Sequence, residues 1–278
     1  MPDKMFLQNF FAQTMGYLMD FDNPQTFNEK LHWLKLYDRK PIYTQYVDKY
    51  QSKEWVDLLV GGAKIPTIAV YDKVSDIDYD KLPNRFVMKC THDSGSVVVC
   101  SDKKKLNIES ANAILNKGMA QDYYILGREW PYRNVPHRIL VEEYLEDSQT
   151  HEARDYKFFC FGGKVKCFKI DFGRANDHRA NYYDAEGNIL PFGECVCPPD
   201  YEAIIEIPGN INQMIGVAEK IASNIDCCFE RIDLYNINGR IYFGEITFFP
   251  GGGHMKLTNP EWDKILGSWI DLKYVMQK

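Results

Sequence analysis

The chain has 278 residues, enough for one large core or for two smaller lobes sharing a cleft. With 33 basic against 39 acidic side chains the formal net charge is -6, which leaves no general basic surface for nucleic acid or an anionic membrane, though a locally basic pocket is still allowed. A hydrophobic content of 45% describes a globular protein, and no window approaches the run of about 18 apolar residues that a membrane span needs.

The N-terminus, MPDKMFLQNFFAQTMGYLMD, has no basic segment followed by an unbroken apolar run, so no secretory leader is predicted and a cytoplasmic location is expected. Helical spacing follows in Phe27 to Tyr37 and again from Pro41 to Leu59, ended by Gly61-Gly62. IPTIAVYDKV and RFVMKC are β-rich, THDSGS is a glycine-serine loop, and VVVC returns as a strand. Asn107 to Gln121 is predicted helical, and HRILVEEYLED reads as a buried strand running into a polar bend. DYKFFCFGGKVKCFKIDFG alternates around Gly162-Gly163, a hairpin signal. A loop-rich insertion is expected after Gly173, then a helix over Ile211 to Ile225, the segment RIDLYNINGRIYFGEITFFPGGGH, and a last helix from about Asn259 to Val275. The eight cysteines show no C-x-x-C pair and read as small buried thiols rather than zinc ligands. Interleaved strands, helices and hairpins predict two α+β lobes rather than a regular βαβ sheet.

Three segments carry possible chemistry. In the Arg231 to His254 segment, alternation puts Arg231, Asp233 and Tyr235 on one face of a strand, and Phe243, Glu245 and Thr247 on one face of the next. A two-residue turn at Asn238-Gly239 would pair Asp233 with Gly244 and send Glu245 to the far face. An odd loop, Ile237-Asn238-Gly239 with Gly239 left-handed, would bring Arg231, Asp233, Glu245 and Thr247 together, and this loop is the expected one. Adjacent carboxylates repel, and a hard divalent cation is a reason to hold them side by side; an Arg-carboxylate ion pair on an ordinary hairpin is the competing explanation. In the second segment, Lys89 precedes Ser94, Gly95 and Ser96, a loop small enough for backbone N–H groups to approach phosphate oxygens, although an ordinary turn accounts for it as well. In the third, a strand exits through Glu142, Glu143, Tyr144 and Leu145, with backbone groups able to read the edge of an adenine.

In this order the segments resemble the ATP-grasp superfamily. VDKYQSKEW with KIPTIAV looks like the family's first nucleotide-binding stretch and places Lys53 as its lysine, while RFVMKCTHDSGSVVV makes Lys89 the second. By the same likeness LVEEYL is the adenine hinge, Asp155 falls where a ribose-binding acid stands, and Lys157 joins the nucleotide site. RIDLYNINGRIYFGEITFFPGG is similar to the closing Mg²⁺ motif, with Arg231, Asp233 and Glu245 matching and Thr247 standing where Asn is usual. A narrower likeness, through FNEKLHWLKLYDRKPIYTQYVDKY, DYKFFCFGGK and RIDLYNINGRIYFGEITFFPGGG, is to the TupA-like ATP-grasp proteins of teichuronopeptide type.

That resemblance implies the ATP-grasp fold, with a short helical region at 1-62, a first lobe at 63-141, and a second at 142-278 carrying the metal hairpin and an insertion at about 174-208. It implies ATP and Mg²⁺ as cofactors and a carboxylate-amine ligase acting through an acylphosphate, with Arg231 and Lys89 catalytic. The implied partners are small-molecule or glycan carboxylates and amines of cell-envelope polysaccharide synthesis, with no nucleic acid and no transmembrane segment. A sugar or glycan kinase and a noncatalytic nucleotide-binding protein are the alternatives. Gly251 to Gly253, Lys169, Arg174, Arg179 and His254 are further candidates for holding substrate anions.

Overall fold

The computed structural model describes residues 1–149, 153–173 and 177–276. Helix α1 (Asp3–Met15), absent from the sequence expectation, opens the chain. Helix α2 (Phe27–Tyr37) begins at a capping box in which Thr26 accepts the Glu29 N–H and the Glu29 carboxylate accepts the Thr26 N–H, so two otherwise orphaned donors are satisfied. The single helix expected over 41–59 is instead two, α3 (Tyr43–Val47) and α4 (Gln51–Val60). The break is made by Asp48, whose Oδ1 accepts the N–H of Tyr50 at 2.9 Å and of Gln51 at 3.3 Å and so starts a new helix.

The first sheet comprises β1 (Thr67–Tyr71), β2 (Phe86–Cys90), β3 (Val97–Cys100) and β4 (Ile139–Glu143), antiparallel in the order β1-β4-β2-β3. Helices α5 (Ile108–Met119) and α6 (Tyr123–Gly127) lie between β3 and β4 in the chain. Phe86, Met88, Ile139 and Val141 point to one face, where Ala111 and Leu115 of α5 complete a small core. Strand alternation therefore turns Val87, Lys89 and Glu142 to the other face.

The second sheet comprises β5 (Asp155–Phe161), β6 (Lys164–Phe172), β7 (Arg179–Asp184), β8 (Phe229–Ile237) and β9 (Arg240–Thr247), in the order β7-β6-β5-β8-β9. The edge strand β7 falls within the stretch expected to be loop; residues 174–176 of that stretch lie outside the described residues. Helix α7 (Ile211–Ala222) lays Met214, Ala218, Ile221 and Ala222 on one face of this sheet, against Phe158, Phe168, Ile232 and Leu234. The same core takes Leu7, Phe11, Phe27, Leu31 and Tyr43 from the N-terminal helices. The expected final helix is broken into α8 (Glu261–Ser268) and α9 (Lys273–Met276). All eight cysteines are unpaired, and seven are buried as expected; Cys195 is exposed. Among the described residues no helix is long and apolar enough to cross a membrane.

Candidate functional site

The β8–β9 hairpin closes through a two-residue turn, with Ile237 opposite Arg240 and both Asn238 (φ 52°) and Gly239 (φ 81°) left-handed. The odd loop expected from the sequence is not the device used. Instead β9 bulges at Gly244: Leu234 faces Phe243, yet Asp233 faces Glu245 and Arg231 faces Thr247. The extra residue puts Phe243 into the core and Glu245 on the opposite face. A side chain at 244 would stand 3.0 Å from the Asp233 carbonyl and 3.1 Å from the Tyr235 ring, which accounts for glycine there. Arg231, Asp233, Glu245 and Thr247 thus meet on one face of the hairpin.

Within this group Arg231 grips Asp233 with two N–H bonds, of 2.7 and 2.8 Å, and reaches Thr247 Oγ1 at 3.1 Å and Glu245 Oε1 at 3.4 Å. Thr247 lies off the cleft and spends its hydroxyl on these two neighbours. Lys157 donates to Asp233 at 2.8 Å and to Asp155 at 3.2 Å. Burial alone would lower both cations, but Asp233 and then Glu245 hold Arg231 above its ordinary value, and Asp155 and then Asp233 do the same for Lys157. For Glu245 burial acts to raise the pKa, and Lys49, Arg231, Lys157 and Lys89 together outweigh it and keep the carboxylate ionised below its usual range.

Across from this hairpin, Glu142 of β4 pairs with two lysines, Lys89 at 2.5 Å and Lys53 in direct contact. Lys53 is fully buried in α4 behind Glu142, where burial and the Lys89 charge hold it well below its ordinary value. Burial, then Lys49, brings Lys89 down to about 8. Lys49, in the break between α3 and α4, was not singled out in the sequence; it reaches the cleft wall and donates to the Asp93 carbonyl. Its DK dipeptide beside Asp48, a helix-starting residue, was the available signal.

Between the sheets lies a cleft of about 550 Å³. Lys49, Lys89, Lys157 and Arg231 line it together with Glu142, Glu143, Asp155, Asp233 and Glu245, four cations against five carboxylates. Tyr144 and Leu145 form its rim at the strand exit, and Ser94 and Gly95 (φ 105°) overhang it. Ser96 turns its side chain to α5 near Gly118 and lies off the lining.

An oligophosphate entering a lining with one acid in excess would meet net repulsion, and a hard divalent cation between Asp233 and Glu245 reverses that balance. The two carboxylates, opposed at one register position, supply the oxygen donors such an ion takes, so the site fits Mg²⁺. A different group, Asp171, His178 and Cys197, brings ligand atoms within 4.8 Å of one another, but its single carboxylate faces two lysines, Lys157 at 3.7 Å and Lys169 at 3.6 Å, whereas at the hairpin three carboxylates, Asp155, Asp233 and Glu245, stand against Arg231 and Lys157.

The remaining candidates are engaged elsewhere. Lys169 donates to Glu194 at 2.7 Å, Arg179 to Asp177 at 2.9 Å, and His254 packs between Phe10 and His32. Arg174 lies outside the described residues. Gly251 to Gly253 are consecutively left-handed, and a side chain at 253 would meet the His32 ring at 3.0 Å, so this turn is glycine because α2 approaches it.

The D-alanine–D-alanine ligase of Bacillus anthracis complexed with ATP is similar at 14% identity, covering 84% of this chain and 66% of that one, with a TM-score of 0.48. The Helicobacter pylori D-alanine–D-alanine ligase gives 15%, 91%, 66% and 0.47 in the same terms. The Staphylococcus aureus N5-carboxyaminoimidazole synthetase gives 14%, 73%, 44% and 0.41. The chain therefore spans about two thirds or less of the length of these three proteins. No functionally curated protein matches it. The family model described as TupA-like ATP-grasp matches residues 29–271, and with a match of that extent the chain belongs to the TupA-like ATP-grasp family.

Proposed function

We propose that this protein is an ATP-dependent carboxylate-amine ligase that forms an amide through an acylphosphate, joining an amino acid or amine to a cell-envelope polysaccharide or its precursor in the cytoplasm. The observation that carries the reading is the pairing of Asp233 with Glu245 across the bulge, beneath a cleft lined by Lys49, Lys89, Lys157 and Arg231. The lobes are taken as 63–141 and 142–278, with 1–62 as a helical entry packed on the second.

In this reading the adenine lies at Glu142 to Leu145, the ribose at Asp155, and the phosphates under Ser94 and Gly95 beside Lys89 and Lys157. Lys53 serves by fixing Glu142. Asp233 and Glu245 would hold Mg²⁺, which would supply positive charge at the phosphates. A substrate carboxylate oxygen attacks the γ-phosphorus while the bond to the β-phosphate oxygen breaks and ADP leaves. An amine then attacks the acyl carbon, loses a proton, and expels inorganic phosphate. Arg231, kept cationic by Asp233 and Glu245, stabilises developing negative charge, and Lys89 does so at the transferring phosphoryl group; both act by position and charge.

The test is incubation of the protein with Mg-ATP and pools of uronic acids and amino acids, followed by mass spectrometry. ADP with a new amide is expected. ADP with a phosphate ester instead makes the protein a kinase, and the absence of both products leaves a noncatalytic nucleotide binder.

A further inference from the structure

The second sheet has a cavity at its back as well as a cleft at its front. Asp155 and Tyr235 line the front cleft, whereas their neighbours Arg154, Tyr156 and Asn236 line a separate cavity of about 500 Å³. Strand alternation makes the two sites opposite faces of the same wall. The size lies within the range of about 300–1,000 Å³ common to small-molecule sites. The chain before α7 and the Asn238-Gly239 turn complete the back cavity.

Its chemistry is specific. Asn236 Nδ2 donates to Asn210 Oδ1 at 2.6 Å, and Asn210 Nδ2 donates to the Gly239 carbonyl at 2.9 Å. Asn210 stands at the N-cap of α7 but makes no capping bond there, its side chain being held in this amide chain instead. The chain leaves Asn236 Oδ1 buried with no donor, and Arg154 Nε is likewise buried with no acceptor, among the described residues. A buried polar atom without a partner is destabilising, so a ligand supplying both a donor and an acceptor is favoured there. Hydroxyl groups do both, and the Tyr156 hydroxyl, which accepts from Arg154, keeps its own proton to donate. One guanidinium faces the carboxylates of Asp147 and Glu206, so the lining does not select an anion.

We propose that this cavity is a binding site for a neutral saccharide unit. It is separate from the nucleotide cleft, and it stands whether or not the cleft forms amides. Acceptor amides and a guanidinium arranged around a half-open hollow suit vicinal ring hydroxyls, and the ring of Tyr156 beside them suits the apolar face of a sugar.

The experiment is saturation-transfer NMR on the full chain with the methyl glycosides of glucose, galactose and N-acetylglucosamine, alongside glucuronic acid and glycerol. Transfer to the ring protons of at least one neutral glycoside is expected, persisting when Mg-ATP is added. Asn236→Ala should weaken that glycoside about tenfold, and Arg154→Gln, at a half-buried position, should weaken it also if the first variant folds poorly. Transfer to none of the glycosides overturns the proposal. So does equal binding by both variants, displacement by Mg-ATP, a preference for glucuronic acid, or transfer to glycerol alone. Because no turnover is measured, failure here leaves the ligase reading standing.

Discussion

Glu230 and Glu245 are glutamates on paired strands with opposite electrostatics. Glu245 opens onto the cleft among four cations and stays ionised, whereas Glu230 is wholly buried, and burial pushes its carboxyl up to about 8 against the hydrogen bond that Cys227 Sγ gives it. The folded state therefore binds the Glu230 proton more tightly than the unfolded state does. The resulting stability is fully present below the ordinary glutamate value near 4.5 and is lost as pH rises to about 8. Glu230→Gln should remove that slope: by urea denaturation it should be more stable than the parent at about pH 9, by on the order of a few kcal/mol, and no better at about pH 4. Glu245→Gln keeps the shape and deletes the charge. It should lower ADP formation by about 100-fold or more with an unchanged circular dichroism spectrum, since removing one preorganised charge from a phosphoryl-transfer site costs about that much.

The β8–β9 hairpin shows at the element level what the sequence discloses. Alternating apolar and charged residues identify both strands, but the expected loop, Ile237-Asn238-Gly239, is one residue longer than the Asn238-Gly239 turn that closes them. The bulge was not legible, because the sequence contains no local signal beyond a single glycine, and its presence follows from tertiary demands on Phe243 and Glu245. Gly244→Ala should cost about 1–3 kcal/mol, the usual cost of overpacking, because the new methyl presses on the Asp233 carbonyl and the Tyr235 ring. Activity should fall with it, as the carbonyl belongs to the residue that faces Glu245; thermal denaturation and an ADP assay on the same preparation check both. Elsewhere, Asp48 could have been read as a helix start, and with it the break that lets Lys49 reach the cleft. Strand β7, spelled RANYYD, carries too little apolar character to announce itself, since it is an edge strand that pairs on one side only. Lys53 was expected to touch the nucleotide, but it is buried behind Glu142 and off the cleft lining, which the sequence does not disclose because the contact joins α4 to β4.

For the molecule as a whole, the cleft is lined from both sheets, so a nucleotide that fills it binds the folded state alone. Mg-ATP at a hundredfold excess over its Kd should add about 2.7 kcal/mol to stability, several degrees in Tm. ATP with EDTA should add much less, because the lining then presents its uncompensated acid to the phosphates. Differential scanning fluorimetry separates the two conditions, and equal shifts would remove the metal from the nucleotide reading.

The back-to-back cavities carry one last implication, for how this gene tolerates change. Neighbouring codons of β5 and β8 serve different chambers, so an in-frame loss or gain of one codon in either strand exchanges the two inventories wholesale, presenting Tyr156 forward and Asp155 rearward. Point substitutions in these strands can drift one chamber at a time, whereas an indel is tolerable only in a turn or where a bulge absorbs the extra residue, as β9 does at Gly244.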